Sequence, residues 1–256
     1  MTIIILYNHS STLNLPVRKN QPMRKNIEQY LAFQKGNIRM PDHLKPKKEI
    51  TARLFKSDFL EAFTRTPIWV PQVLYVGLIA LFFWYGITRM NLNIFIMIAV
   101  AACGFLFWTF TEYMVHRFLY HTESESETLN NIQFKGHTIH HQHPIDPTRL
   151  AMPPLPSIIL SSAFLGLFFL IMGVWAVAFW PGFMAGYLIY ITFHYYQHRI
   201  KTPKIPTLKK LWLYHQIHHY SNPYAAYGVS TLLWDHVFGT LPEIKKGKLA
   251  LVLFLN

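Results

Sequence analysis

"LPSIILSSAFLGLFFLIMGVWAVAFW" (155–180) runs straight into "PGFMAGYLIYITFHYY" (181–196), and neither segment contains an Asp, Glu, Lys or Arg. The hydrocarbon core of a bilayer is crossed by about 20 mostly apolar residues in a helix. The first segment meets that length, and the second is short and ends in a histidine. Two further uncharged runs lie upstream, "PIWVPQVLYVGLIALFFWYGI" (67–87) and "NIFIMIAVAACGFLFWTF" (93–110). With 52% of the 256 residues hydrophobic and those residues gathered into long runs, the chain reads as an all-α integral membrane protein with four spans. Short connections predict two hairpins, one through "TRMNLN" (88–93) and one through "WPG" (180–182).

The net charge of +12 invites a nucleic-acid reading, but the distribution of charge argues against it. Twelve of the 24 Lys and Arg residues precede the first run, Arg89 alone lies between the first and second, and none lies between the third and fourth. The other 11 fall between runs two and three or after run four. Four crossings put both termini and the middle loop on one side, and the positive-inside rule makes that side cytoplasmic. The basicity then faces anionic headgroups. The single cysteine, Cys103, sits within a run and excludes a disulfide framework. "TIIILY" (2–7) is too short for a signal-peptide core.

Residues 1–54 are basic, polar and broken by Pro16, Pro22, Pro41 and Pro46, and read as a loosely ordered cytoplasmic arm. "FKSDFLEAFTRTP" (55–67) spaces Phe55, Phe59 and Phe63 four apart with charges between them, the pattern of a helix lying in the membrane interface. Residues 55–242 form the membrane-embedded unit, and 243–256 a tail.

The chemistry lies in the histidines. Twelve of the 14 occur at or beyond position 116, in "HRFLYH" (116–121), "HTIHHQHP" (137–144), "HYYQH" (194–198) and "HQIHH" (215–219), with His236 further on. Topology places all four groups on the cytoplasmic side at membrane depth. Offsets of three and four in "HTIHH" and "HQIHH", and of four in "HYYQH", put the imidazoles of each on one helical face. The offset of five in "HRFLYH" converges less well on an ideal helix. A zinc-type ion takes about four protein ligands, so ten histidines (His116, His121, His137, His140, His141, His194, His198, His215, His218 and His219) exceed the needs of one ion and suit two. Imidazole serves Fe, Zn, Cu and Ni alike, so ligand type does not choose the metal. His9 and His43 read as ordinary interfacial polar residues. Metal-bound imidazoles commonly donate their far ring nitrogen to a carboxylate or carbonyl, and Glu112, Asp146 and Asp235 are candidates for that role, with His143 and His236 as supporting residues beside the motifs.

"EYMVHRFLYH", "GHTIHHQHPIDPTRLAMPP", "HYYQH" and "LYHQIHH…WDHVFGTLP" together resemble the sterol desaturase and fatty acid hydroxylase superfamily. "HHQHPIDPTRLAMPP", "STLLWDHVFGTLP" and "FKSDFLEAFTRT" resemble its fatty acid 2-hydroxylase branch. The resemblance runs from about Phe55 to Pro242. It implies four membrane helices under a cytoplasmic helical cap that holds a histidine-bound dimetal site. It also implies two iron ions (zinc can replace them in isolated protein), O2 as co-substrate, and hydroxylation at C2 of a fatty acyl chain, often that of a sphingolipid. Many relatives carry an N-terminal cytochrome b5 domain. The first 54 residues lack its haem motif, so electrons are expected from a separate donor such as cytochrome b5 or ferredoxin. The expected location is a bacterial inner membrane or the endoplasmic reticulum. The competing readings are an oxygenase of the same superfamily acting on sterols, carotenoids or alkanes, and a non-catalytic metal-binding or transport protein. A transporter should carry polar residues at the midplane of its spans, and here they gather only at the end of the last one.

Overall fold

The computed structural model describes residues 40–242, and all regular secondary structure among those residues is helical. The expected arm (1–54) lies outside the described residues up to position 39, as does His9, and so does the tail at 243–256. The elements that place the site are α1 (Asp58–Ala62), α2 (Trp69–Thr88), α3 (Ile94–Met114), α4 (Glu127–Gln133), α5 (Ile139–Gln142), α6 (Pro154–Met172), α7 (Ala176–Arg199), α8 (Pro206–Tyr220) and α9 (Leu233–Phe238). Two of them run on as π-helix: α3 through Val115–Tyr120, and α4 through Phe134–Thr138 into α5.

Three stretches are long and apolar enough to cross a membrane: Trp69–Thr88, Ile94–Tyr120 and Pro154–Arg199. Most of their apolar side chains face outward, as with Leu170 (87% exposed) and Phe95 (77%). A water-soluble bundle does not leave apolar surface on that scale, so this is an integral membrane protein.

Pro154–Arg199 is not one straight rod. Gly173 has φ +56°, a conformation that glycine adopts without steric cost, and a single 3₁₀ turn (Gly173–Trp175) follows it. Beyond this turn α7 packs back on α6, with Trp180 Nε1 donating to Ser161 O (2.9 Å) and the Phe168 and Phe179 rings in contact. The turn expected at "WPG" is therefore displaced. Pro181 lies within α7, and the break belongs to Gly173. The hairpin expected at 88–93 is present, with Asn91 at φ +52° and Asn93 capping α3 through its side-chain oxygen to Phe95 N (2.9 Å) and Ile96 N (3.3 Å).

α7 is the central helix and packs against α2, α3 and α6. Its Trp180, Phe183, Met184, Tyr187 and Ile191 form the core with Tyr75 of α2 and Phe168 of α6. Tyr75 and Gln72 are paired within this core: Tyr75 Oη lies 2.6 Å from Ser157 Oγ and 3.1 Å from Ser161 Oγ, and Gln72 donates to Thr192. An unpaired buried polar group would cost several kcal/mol in an apolar medium.

The helix expected over 55–67 is shorter than its pattern suggests. α1 is capped by Ser57, and the backbone before it is kept out of the helix by the Glu61 carboxylate, which accepts from the amides of Leu54 (2.8 Å) and Phe55 (3.1 Å). Phe59, Leu60 and Phe63 remain exposed on this turn, with the two Phe rings 4.9 Å apart. Residues 43–66 form a strap over the loop that follows α5. Lys47 N donates to Gln142 O (2.8 Å), Gln142 donates to His43 O (2.9 Å), and Thr66 N donates to Thr148 O (2.8 Å). The strap is fastened by Arg149, which binds Glu61 Oε1 (2.5 Å), Ala52 O (2.6 Å) and Thr64 Oγ1 (3.2 Å), the two charged side chains being 2% and 7% exposed. Removing one partner of a buried ion pair leaves an uncompensated charge and costs about 3–5 kcal/mol. Arg149→Ala should accordingly lower thermal stability by that amount. A melting curve matching the unsubstituted protein would show that the strap is not fastened here.

Candidate metal centre

The ten clustered histidines separate into two groups of five. His116, His121, His137, His141 and His218 form the first, and His140, His194, His198, His215 and His219 the second. Within each group the ligand-capable nitrogens all lie within 4.8 Å of one another. Nine of the ten residues are buried, and His198 is partly exposed.

Local helix geometry explains the sorting. Val115–Tyr120 is π-helix, whose i→i+5 repeat stacks residues five apart, so His116 and His121 meet with ring centroids at 5.0 Å. The weak convergence expected for "HRFLYH" is corrected by this local widening. Gln133 holds the end of the segment by donating to Leu119 O and Thr122 O (both 2.7 Å). The single helical face expected for "HTIHH" and "HQIHH" is also corrected. In the first, His137 and His141 join one group and His140 the other; in the second, His215 and His219 join one and His218 the other. Residues four apart share a group, and the residue one turn position away crosses to its neighbour. Each motif therefore bridges both groups. α8, which supplies the second motif, begins with Pro206 in the first turn, where the missing amide hydrogen costs nothing.

The nitrogens are too crowded for hydrogen bonding to explain them. His137 Nε2 lies 3.0 Å from His116 Nε2, 3.0 Å from His121 Nε2 and 2.9 Å from His141 Nε2. His218 Nε2 lies 3.1 Å from His121 Nε2 and 3.2 Å from His141 Nε2. In the second group His140 and His219 approach to 3.2 Å, and His215 and His198 to 2.8 Å. One neutral ring carries one N–H, and His116 and His218 direct Nδ1 to backbone carbonyls, Tyr227 O (2.5 Å) and Ala225 O (2.8 Å). Their Nε2 atoms thus present lone pairs toward the other rings, an arrangement that a central cation satisfies. With metal–nitrogen distances of about 2.1 Å, ligands at right angles lie about 3.0 Å apart and tetrahedral ligands about 3.4 Å apart. The observed separations match the more crowded case. The residues fit a metal ion in each group.

Burial also keeps these rings neutral, the form a metal requires. It pushes His137, His140, His141, His215, His218 and His219 well below ordinary imidazole basicity, and mutual repulsion among neighbouring rings acts in the same direction for most of them.

The carboxylates do not bind imidazoles directly. Glu112 Oε1 accepts from Val229 N (2.7 Å) and Ser230 N (3.0 Å), and its other oxygen meets the Ser230 hydroxyl. Asp235 accepts from Tyr227 N (2.9 Å), Gly228 N (2.8 Å) and Thr240 Oγ1 (2.6 Å). Burial raises its pKa to about 6 against the opposing pull of these donors. Asp146 caps its own turn through Thr148 and sits near Arg149. His143 is buried and fixes the strap through Glu49 O (2.6 Å), while His236 and His43 are exposed. Three contributors carry no sequence signal of their own: Tyr120 stacks on His137 (4.9 Å), Tyr190 stacks on His194 (5.5 Å), and residues 225–227 act through backbone carbonyls.

Residues 101–240 match the fatty acid hydroxylase family model. A dihydroceramide fatty acyl 2-hydroxylase of Arabidopsis thaliana is 39% identical over 200 residues, covering 75% of this chain and 81% of the relative. The chain belongs to the fatty acid hydroxylase family. Within it, the relatives place the chain on the fatty acid 2-hydroxylase branch. The ceramide very long chain fatty acid hydroxylase SCS7 of Saccharomyces cerevisiae is 36% identical, with 74% of this chain aligned to 49% of that longer protein. Among solved structures, that of full-length scs7p, with only its hydroxylase domain visible, superposes with a TM-score of 0.72 at 34% identity, covering 79% of this chain and 78% of the other. This chain thus combines the fold of a solved hydroxylase domain with two five-histidine groups.

Proposed function

We propose that this hydroxylase inserts one oxygen atom of O2 at C2 of a fatty acyl chain, with the acyl group of a ceramide-type sphingolipid as the favoured carrier. The observation that carries the reading is the convergence of two five-imidazole groups at the ends of lipid-facing apolar helices. The names of its relatives support the position of hydroxylation and the lipid class. Iron is the proposed occupant of both groups: five crowded imidazoles suit an ion that accepts more than four ligands, and the reaction needs a redox metal. Two such ions supply the O2 activation that an unreactive C–H bond demands and that side chains cannot provide.

The chain's own residues do the rest. The ten histidines are the proposed ligands, kept neutral by burial, and Tyr227 O and Ala225 O orient two of them. The strap at 43–66, whose own Leu44 is buried, limits water at the loop after α5. We take α2, α3, α6 and α7 as four crossings, with the histidine groups, the strap and both termini on the cytoplasmic side. Residues 55–242 are the proposed hydroxylase unit. α1 then lies in the interface with Phe59, Leu60 and Phe63 among headgroups, and the acyl chain enters sideways from the bilayer. Electrons come from a separate carrier protein.

Lipid mass spectrometry of a host expressing the chain tests this directly. Acyl chains should gain one oxygen, located at C2 by fragmentation, and His218→Ala should abolish the gain. Unaltered lipids in a host that accumulates metal-loaded protein would reject the reading, and oxygen placed on a sterol, carotenoid or alkane would move it elsewhere in the superfamily.

A further inference from the structure

The two histidine groups are similar in composition but differ in what stands behind them. In the first, His116 and His218 donate Nδ1 to Tyr227 O and Ala225 O, two carbonyls of a single loop. In the second, the Nδ1 atoms of His140, His215 and His219 are buried with no hydrogen-bond partner among the described residues, as is that of His141 in the first, so the difference lies in the two loop carbonyls that only the first group receives. The loop itself is unusually restrained. Ala226 between the two carbonyls has φ +55°, and its amide donates to Thr240 O (2.9 Å). Asp235 holds the amides of Tyr227 and Gly228, and Glu112 holds those of Val229 and Ser230. A Cβ on Gly228 would stand 2.0 Å from Thr231 O and 2.7 Å from Asp235 Oδ2, so only glycine lets the carboxylate close on the loop. Four consecutive amides are thus gripped by two buried carboxylates from α3 and α9, and two carbonyls of the same loop are aimed at ligands of one group.

We propose that residues 225–230 are a positioning loop for the first histidine group alone, and that the two metal sites are therefore unequal. The ion held by His116, His121, His137, His141 and His218 is retained tightly, and the ion held by His140, His194, His198, His215 and His219 exchanges more readily. Asp235 and Glu112 are positioning residues that act through the backbone and touch no ligand imidazole. Partners that orient ligand imidazoles typically change metal affinity by about 10- to 100-fold, and here they serve one site. This inference rests on the reading of both groups as metal sites.

The test loads the full chain in detergent with Zn2+ and follows metal release into excess chelator by elemental analysis, with Co2+ loading for an absorption spectrum. The unsubstituted protein should release its ions in two phases, and His215→Gln should lack the fast phase while keeping the slow one. Asp235→Asn leaves one side-chain oxygen for three donors. It should accelerate the slow phase by at least about 10-fold, leave the fast phase alone and shift one of two Co2+ environments. Gly228→Ala, which displaces the loop while leaving both carboxylates chemically intact, should do the same. Glu112→Gln retains Oε1 for both amides and offers its NH2 to the Ser230 hydroxyl, so it should release like the unsubstituted protein. Single-phase release from the unsubstituted protein overturns the proposal, as does equal acceleration of both phases in Asp235→Asn or Gly228→Ala. A chain that binds fewer than two ions refutes the metal reading itself, which is a different result.

Discussion

Gly182→Leu should yield no folded protein. A Cβ at position 182 would lie 1.8 Å from Ala101 O and 2.7 Å from Ala101 Cα, and the same approach continues one turn to either side. Gly104 faces Phe179 O, where a Cβ would come to 2.1 Å, and Gly186 faces Trp108 Cβ, where it would come to 2.6 Å. "GFMAG" (182–186) is thus the small-residue stripe on which α3 and α7 cross. Overpacking a core usually costs about 1–3 kcal/mol because side chains can change rotamer. Here the obstacle is backbone on the partner helix, which has no rotamer to change, so the helices must separate. Separation would pull His116, at the end of α3, away from its group and His194 and His198, at the end of α7, away from theirs. The recovered amount of monodisperse protein in detergent, with its melting temperature, checks this. Gly77→Leu and Gly166→Leu are the controls, since neither glycine has anything within 4 Å of its Cβ position. Normal recovery and melting of Gly182→Leu would mean that the α3–α7 crossing is looser than described.

The second large effect concerns neighbours in sequence that serve different groups. His140→Ala and His141→Ala should each abolish 2-hydroxylation, a loss greater than the roughly 100-fold upper range for residues that only orient ligands. Each should cost a different ion. His140 belongs with His194, His198, His215 and His219, whereas His141 belongs with His116, His121, His137 and His218. Were "HTIHH" a motif for one ion, as a single helical face suggests, the two substitutions would deplete the same site and the double variant would keep one ion.

Much of this was legible in the chain. Apolar runs set the membrane class because a bilayer imposes length and composition on any helix that crosses it. The histidine motifs were visible because imidazole at offsets of four is a chemical signal that survives without a structure. What escaped reading depended on backbone conformation. Trp180–Pro181–Gly182 carries the usual marks of a turn, yet Pro181 is accommodated within α7 and Gly182 is needed for helix contact. The reversal falls to Gly173, a lone glycine in an apolar run, through its positive φ. The π-helical widening at Val115–Tyr120 has no periodicity of its own, so the offset of five between His116 and His121 looked unfavourable. The roles of Glu112 and Asp235 were misplaced for a related reason. Carboxylates near histidines suggest direct contact, but these two act on amides, and the carbonyls of Ala225 and Tyr227 leave no side-chain signature.

Two interleaved histidine groups should hold two separate ions, and counting metal per chain tests this most directly. Elemental analysis of the purified, metal-loaded protein should give two ions for the unsubstituted chain, one for His140→Ala, one for His141→Ala and none for the double variant. One ion in the unsubstituted chain, or one still present in the double variant, would contradict it.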